Sequence, residues 1–354
     1  TQPGNSILVK PFCLSTEKKK QACSFALEIL VDEYIYEFSF SVNKKQIVEE
    51  KLIKITGSSE QELYSRKDGK ITLDTALLTN PALEFVAEGT QDNQLFLTNS
   101  ISQKIDTFRP VYDWFKDNLV LIAPDTRFAE FEQFINEKSP LYSKMSNLLQ
   151  TLDTGITQLG SEEVPFSQTP IPEELRNKLQ QEIMENHTVR LHAVPENQRY
   201  IITREDDKLL AKKLVSYHSG MDGKEIKFEI NQESDGTQRI IDLLPAFLQM
   251  SESSSNRVFV IDEIDRSLHS ILTQQLVTDY LASCSQDSRT QLLLTTHDLM
   301  LMNQQLLRRD EMWVVERDNE GASELIAFSD YKDVRYDKDI RKSYLQGRLG
   351  GIPR

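Results

Sequence analysis

The 354-residue chain is poor in cysteine and contains no long hydrophobic run, and each shortage excludes a class of protein. Its three cysteines, Cys13, Cys23 and Cys284, form neither a CxxC pair nor a metal-ligand spacing, so we expect no disulfide framework and no zinc site. No apolar stretch approaches the roughly 18 residues of a membrane span, and no signal-peptide pattern is present. These features predict a cytoplasmic protein with no membrane partner.

The chain also lacks an excess of positive charge. It carries 41 Lys and Arg residues against 55 Asp and Glu residues, a formal net charge of −14. Broad electrostatic wrapping of DNA or RNA uses basic faces, although a local basic patch escapes such an average. Nucleic acid is therefore not the default partner, and its binding stays open. The 39% of hydrophobic residues suffice for one large core or two subdomains.

The first part of the chain, residues 1–73, has the pattern of an antiparallel β-meander. Runs rich in Phe, Tyr, Ile and Val occupy residues 24–31, 34–42 and 47–55, with short polar connections between them. The second run alternates as a half-buried strand does, and it places four aromatic residues on one face: Tyr34, Tyr36, Phe38 and Phe40.

Residues 74–187 have mainly helical periodicity, and we predict a helical insertion over this range. Apolar side chains recur there within residues 114–121 and again within residues 128–135. Three prolines within residues 161–172 interrupt the pattern.

Residues 188–354 predict a C-terminal lobe. Apolar runs indicate strands at 189–194, 200–203, 209–217 and 226–230, and the apolar spacing after them indicates a helix over residues 238–250. The histidines of this region, His192 and His218, together with His187, have no functional context and are expected to be structural.

Two apolar runs of this lobe end in residues suited to nucleotide chemistry. Val258–Ile261 is followed by Asp262 and Glu263, and residues 292–294 are followed by Thr295, Thr296 and His297. Apolar strands without alternation are typical of a parallel sheet covered on both faces, whose ligands bind at the carboxyl ends of the strands. One carboxylate can hold Mg²⁺ while its neighbour orients the water that attacks a γ-phosphate. The alternative is a strand that ends in two solvated acids, followed by a structural histidine.

A second candidate site precedes the helix predicted over residues 238–250. Ser234 is a good N-cap, and Gly236 lets a ligand approach the backbone closely. A helix N-terminus with free N–H groups and hydroxyls, here Ser234 and Thr237, is a ready phosphate site. An ordinary helix cap is the alternative. Ser267 and His269 lead into the next helix, and simple helix entry is the alternative for them.

In this order the motifs resemble those of ABC-type ATPases. Residues 234–238 are similar to the signature sequence Ser-x-Gly-x-x without its usual preceding Leu, and residues 258–263 resemble the Walker B strand with its catalytic glutamate. Residues 267–269 lie where the D-loop is expected, and His297 matches the switch histidine. More narrowly, the strings ESDGTQR, DEIDRSLH and TTHD are similar to those of stand-alone ABC/OLD-like AAA-type ATPases. These bacterial proteins are common in anti-phage defence loci, with PARIS, retron and abortive-infection systems as examples.

The resemblance implies an α/β fold: an ABC-type ATPase head with a P-loop NTPase sheet, an antiparallel β-meander lobe and a helical insertion. It implies ATP and Mg²⁺ as cofactors, bound between the subunits of a homo-oligomer that is at least a dimer. It implies that Asp262 helps to hold Mg²⁺, that Glu263 positions the attacking water and that His297 contacts the γ-phosphate. The nucleotide of the opposite subunit is assigned to the signature and D-loop residues Ser234, Gly236, Thr237, Ser267 and His269.

One part of the family pattern is absent from the sequence. No G-x-x-x-x-G-K-[ST] occurs, and the nearest string, residues 220–225, has the wrong spacing and no hydroxyl after its Lys. The P-loop of the family lies upstream of the meander, so we expect that the given chain lacks its first segment. If Thr1 is the natural start, the resemblance implies a degenerate ATPase.

Three functions stay open at this stage. In the first, which we favour, the ATPase is a sensor and regulator that holds a co-encoded toxin or nuclease effector until a phage-derived trigger appears. The second is an OLD-type nuclease, whose acidic Toprim domain has no counterpart after His297. The third is a DNA repair or recombination ATPase, whose long coiled-coil heptads are missing from the sequence. A neighbouring effector gene would distinguish the first function from the second.

Overall fold

The computed structural model divides the chain into two compact units. The first comprises residues 1–119, 313–332 and 347–354, and the second comprises residues 120–312 and 333–346. The predicted three-part division at residues 73 and 187 stays a prediction. The structure describes residues 4–126, 139–183, 188–193, 198–205, 208–252, 255–331 and 339–351.

The first unit is built on a five-stranded antiparallel sheet in which the strands follow one another along the chain. The strands are β1 (Cys23–Val31), β2 (Tyr34–Val42), β3 (Ile47–Thr56), β4 (Ser59–Lys67) and β5 (Lys70–Leu73). They confirm the predicted meander. The aromatic face of β2 is confirmed for three of its four residues, because Phe38 is buried in the core of this unit with Tyr36 and Phe40 packed around it. Tyr34, at the start of the strand, is 40% exposed.

Short helices cover this face of the meander. They are α1 (Pro81–Gly89), α2 (Phe96–Ser102) and α3 (Arg109–Asp113), followed by a π-helical turn at Trp114–Asn118. The rings of Tyr64, Phe96 and Phe108 meet edge to face, with centroids 4.8, 5.1 and 5.8 Å apart. Such aromatic contacts stabilise the fold beyond the effect of burying the rings, and they join the sheet to the helices.

A buried carboxylate connects β3 to the beginning of α2. Glu50 Oε2 accepts the Phe96 N–H at 2.8 Å, and Glu50 Oε1 accepts the Leu97 N–H at 3.1 Å and the Tyr64 hydroxyl at 2.9 Å. The residue before α2, Leu95, has no side chain that can cap the helix, so Glu50 satisfies helix N–H groups that would otherwise be buried without acceptors. Burial raises the pKa of Glu50 above 4.5 despite these hydrogen bonds.

This raised pKa predicts a pH-dependent stability. A carboxyl whose pKa is higher in the folded than in the unfolded state contributes to the free energy of unfolding. This contribution is fully present below the unfolded-state pKa, and it is lost as the pH rises through the folded-state pKa. We therefore expect the free energy of unfolding to fall more steeply above pH 4.5 in the wild type than in Glu50→Gln, whose amide does not titrate. Urea unfolding between about pH 4 and pH 8 tests this. Parallel pH profiles for wild type, Glu50→Gln and the exposed control Glu60→Gln would contradict it.

Strand β6 (Leu119–Ile122) leads into the second unit, where helix α4 (Pro140–Thr151), strand β7 (Ile156–Pro165) and helix α5 (Glu173–Glu182) follow. The helical prediction for residues 74–187 is wrong at β6 and β7. That this segment is an insertion in the ATPase head stays a prediction. A short apolar run fits a helix or a strand equally well by periodicity, so pairing with distant strands decides its structure. The stretch predicted as helical at residues 128–135 lies outside the described residues.

The larger sheet of the second unit is antiparallel. Its remaining strands are β8 (Thr188–Ala193), β9 (Gln198–Glu205), β10 (Lys208–Ser219) and β11 (Glu225–Glu229). They lie in the order β11-β10-β9-β8, and β7 also pairs with β10. All four strands predicted between residues 189 and 230 are confirmed, with bounds shifted by a few residues. The long strand β10 is the centre of this sheet, because β7, β9 and β11 all pair with it.

The smaller sheet has the order β13-β12-β6. Helix α6 (Asp235–Met250) precedes β12 (Val258–Ile261), and helix α7 (Ser270–Ser283) joins β12 to its parallel neighbour β13 (Gln291–Leu294). Helix α6 begins three residues before the predicted start and is almost entirely buried from residue 238 onward. This arrangement makes the unit a mixed α/β structure.

Burial of the small sheet corrects one expectation from the sequence. On one face Phe259 and Ile261 are fully buried in the core formed with α6 and α7. In the two neighbouring strands, Leu121 of β6 is 63% exposed and Leu293 of β13 is 56% exposed. Within the described residues the apolar runs are therefore not covered on both faces, although β12 and β13 are parallel as predicted.

The hairpin of β14 (Trp313–Arg317) and β15 (Ser323–Ala327) follows in the first unit. The short helix α8 (Ile340–Leu345) then lies in the second unit. In the described part of the chain, every helix is too short or too polar to cross a membrane.

Candidate functional site

The adjacent acids Asp262 and Glu263 lie directly after β12, where the strand ends. The Asp262 N–H still donates to the carbonyl of Ile122 at 2.9 Å, which continues the pairing with β6. Glu263 then adopts a φ of +47°, in the left-handed region that residues with a Cβ rarely occupy. This conformation turns the chain out of the sheet, and its cost, on the order of 1 kcal/mol or more, must be offset by the contacts around it.

Thr295, the first residue after β13, supplies those contacts. Its Oγ1 accepts the Glu263 N–H at 2.8 Å and donates to Asp262 Oδ1 at 2.5 Å. Its backbone continues the parallel pairing, since the Thr295 N–H donates to Ile261 O and its carbonyl accepts the Ile264 N–H. One threonine therefore fixes both the carboxylate of Asp262 and the backbone of Glu263.

A third acid, Asp265, holds the loop that carries His297. Asp265 Oδ1 accepts the Thr296 hydroxyl at 2.7 Å and the His297 N–H at 3.2 Å. The His297 side chain itself is 84% exposed, and its Nε2 lies 3.9 Å from Glu263 Oε1. The structure thus brings together Asp262, Glu263 and His297 with a fixed backbone and with the Glu263 and His297 side chains facing solvent.

The predicted phosphate turn caps helix α6. Ser234 Oγ accepts the Thr237 N–H at 3.1 Å and shares a hydrogen bond of 2.8 Å with the Thr237 hydroxyl. A Cβ on Gly236 would lie 2.9 Å from the backbone carbonyl of Ser267, closer than real Cβ contacts come. Glycine is therefore required where the turn packs against the loop between β12 and α7.

That loop contains Ser267 and His269. Ser267 has a φ of +62°, and Arg266 next to it pairs with Asp125 at 2.9 Å. His269 is the N-cap of α7, and its Nδ1 accepts the Ile271 N–H at 3.2 Å. The loop joins the two groups of predicted site residues, because it begins at Glu263 and touches Gly236. With Nδ1 engaged as an acceptor, the second ring nitrogen of His269, Nε2, is the one left for a further hydrogen bond.

The arrangement suits Mg²⁺ that is bound together with a nucleotide. The described residues contain no group of three or more His, Cys, Asp or Glu side chains able to hold a metal. Mg²⁺ is usually held by one or two carboxylates together with substrate phosphates and water, which matches a single anchored carboxylate such as Asp262. Asp262 is exposed, with Oδ1 oriented by Thr295, and it would hold the ion.

Sequence reasoning assigned no role to four residues that organise these groups, although they lie within the quoted motifs. Thr295, Thr296 and Asp265 form the connections between the two strand ends. Their signal was present, because residues that follow neighbouring parallel strands emerge at the same edge of the sheet. The role of Glu233 was also missed; its carboxylate contacts His218, and nothing in a linear pattern pairs these two residues.

Comparison with known families assigns the chain to one of them. A family model described as "AAA domain, putative AbiEii toxin, Type IV TA system" matches residues 1–303. Since the match covers most of its length, the chain belongs to this family of AAA-type ATPases with links to abortive infection. ATPases of this kind generally use ATP and Mg²⁺. No curated protein matches the chain.

Proposed function

We propose that this protein is an ABC-type ATPase that binds and hydrolyses ATP at a subunit interface, and that it thereby controls a toxin or nuclease effector in anti-phage defence. The observation that carries the proposal is the double role of Thr295. Its hydroxyl orients Asp262 and holds Glu263 in the left-handed conformation, beside an exposed histidine. Two acids and a histidine at the ends of neighbouring parallel strands are suited to phosphoryl transfer to water.

Each side chain has a separate task in this proposal. Asp262, which is oriented by a hydroxyl, holds Mg²⁺, and the ion neutralises charge on the phosphates when it is bound. Glu263, whose backbone Thr295 fixes and whose carboxylate is partly exposed, orients and deprotonates the attacking water. His297 is exposed within 3.9 Å of Glu263 and donates to an oxygen of the γ-phosphate.

The subunit interface rests on the turn at residues 234–237. Ser234 is exposed, Gly236 and Thr237 are half-buried, and the first N–H groups of the 16-residue helix α6 belong to this turn. Such a helix start binds phosphate. In ABC-type enzymes the signature turn contacts the nucleotide held by another subunit, so we propose a homodimer or a larger closed assembly. Ser267 and His269 would contact the same nucleotide.

The effector, the trigger and the cytoplasmic location are the broader parts of the proposal. The description of the family names a toxin and a toxin–antitoxin system, which supports a protein partner. We propose that the partner is co-encoded, that a phage-derived trigger releases it, and that ATP hydrolysis loosens the assembly. PARIS, retron and abortive-infection ATPases are the systems that this arrangement resembles.

The experiment that tests this proposal separates a regulator from an OLD-type nuclease. We expect the purified protein, as its gene encodes it, to hydrolyse ATP with Mg²⁺ and to leave plasmid DNA and tRNA intact. Degradation should appear only with the co-encoded partner. Ser234→Arg places a long cation in the phosphate turn and should abolish ATP-dependent control of the partner. Ser251→Arg, at the other end of α6, is the matched control and should keep it.

Degradation by the protein without a partner would contradict the regulator function. If Glu263→Gln left that degradation unchanged, a separate nuclease site would explain the activity, as in the OLD-type alternative.

A further inference from the structure

The carboxylate of Glu233, directly before Ser234, is attached to the central strand β10. Its Oε1 accepts the Ser216 hydroxyl at 2.5 Å and lies 2.7 Å from His218 Nε2. The Glu233 side chain is only 6% exposed. Because a buried carboxylate needs hydrogen-bond donors to offset its lost hydration, Ser216 and His218 fix the place of Glu233 over the sheet.

The backbone of Glu233 is held as well. Its N–H donates to Ile230 O at 3.2 Å, and its carbonyl accepts the side-chain amide of Gln238 at 2.8 Å. Gln238 lies in the buried part of α6. The residue that precedes Ser234 is therefore fixed to β10 on one side and to α6 on the other.

The two donors come from a part of β10 that has paired strands on both sides. Strand β10 pairs with β7 and β11 at this point, and Ser216 is opposite Phe228. The His218 ring lies against the Phe228 ring with centroids 4.6 Å apart, and a Cβ on Gly155 would lie 3.3 Å from His218 Nδ1. Packing on both sides keeps His218 Nε2 directed at Glu233.

A helix cap alone does not require this arrangement. Ser234 already caps α6 through its own hydroxyl, and a well-packed apolar residue would attach the turn to the sheet without burying a carboxylate. What the two hydrogen bonds to one oxygen add is a defined position and orientation for the residue next to Ser234.

We propose that Glu233 is a positioning residue which, through Ser216 and His218, sets the turn at residues 234–237 in the geometry that contacts nucleotide phosphates. The inference rests on the proposed function of that turn. The inference connects nucleotide binding at the turn to the larger sheet, because a displacement of β10 would move the turn at residues 234–237.

The first test is kinetic. Glu233→Ala should lower kcat and kcat/KM for ATP together by roughly tenfold, because a misplaced turn weakens contacts made in the transition state. Binding of a fluorescent ATP analogue to the same subunit should be unchanged. Glu233→Gln keeps an acceptor oxygen for Ser216 and His218, and it should retain activity to within about threefold of the wild type.

The matched control is Glu162→Ala. Glu162 is a carboxylate of the same sheet that pairs with Lys227 at 2.9 Å and with Lys213 of β10 at 3.5 Å. Its removal should leave kcat unchanged. An equal loss of kcat in Glu162→Ala, or no loss in Glu233→Ala, would overturn the inference.

A second readout needs no ATP chemistry. Hydrogen exchange of the amides at residues 235–238 should accelerate by roughly tenfold in Glu233→Ala and stay near the wild-type rate in Glu233→Gln. Unchanged exchange in Glu233→Ala would overturn the inference even if Glu263→Gln abolishes hydrolysis. Faster exchange together with normal hydrolysis in Glu263→Gln would instead contradict the proposed function and keep the structural connection.

Discussion

Replacement of Glu263 by glutamine is expected to slow ATP hydrolysis by about 10²-fold or more and to leave ATP binding intact. The amide keeps the size of the carboxylate and loses its ability to take a proton from water. The fold should persist, because Thr295 holds the backbone N–H of Glu263, and the side chain is already 41% exposed to solvent. The variant should also trap the ATP-bound assembly, since the step that loosens it is blocked.

Phosphate release in the steady state measures the loss, and light scattering with ATP measures the trapped assembly. Glu252→Gln is the matched control, because Glu252 is an exposed glutamate just beyond the end of α6. Its turnover should equal that of the wild type. Wild-type turnover in Glu263→Gln would show that another group orients the water.

The second large effect is on stability. Asp242→Ala should lower the free energy of unfolding by about 3–5 kcal/mol, since it leaves a buried guanidinium without its carboxylate. Asp242 on α6 pairs with Arg199 on β9 at 2.8 Å between Oδ1 and Nη1, and their side chains are 1% and 5% exposed. The pair joins the larger sheet to α6, the helix that Ser234 caps.

Urea unfolding measures this effect, and two further variants test its cause. The double variant Arg199→Met, Asp242→Leu removes both charges and should recover most of the stability, because an apolar pair of similar volume can replace a buried ion pair. Glu182→Gln breaks an exposed pair with Lys178 and should change the free energy by less than about 0.5 kcal/mol. A loss below about 1 kcal/mol in Asp242→Ala would contradict the argument.

Strand ends were more predictable than the contacts between them. The apolar run at Val258–Ile261 ends in Asp262 and Glu263, and a parallel neighbour ending in a histidine was expected to bring the three together. The structure confirms that proximity, and their catalytic roles stay a proposal. It also adds Thr295 as the residue that connects them, a detail that depends on the register between β12 and β13.

Structure in residues 74–187 was less predictable. Strand β6 has four apolar residues, too few for periodicity to separate a helix from a strand, and its identity depends on pairing with β12, more than a hundred residues away in the chain. Strand β7 was missed for the same reason, because its partner is β10.

The sequence by itself determined the features that depend on near neighbours. These are the antiparallel meander, the burial of α6, the cap at Ser234 and the acids that end β12, because alternation, helical spacing and capping act within a few residues. Tertiary structure alone decided which distant polar groups meet. Glu233 with His218, Arg199 with Asp242 and Thr295 with Asp262 form because burial makes each polar group find a partner, and topology selects which partner is near.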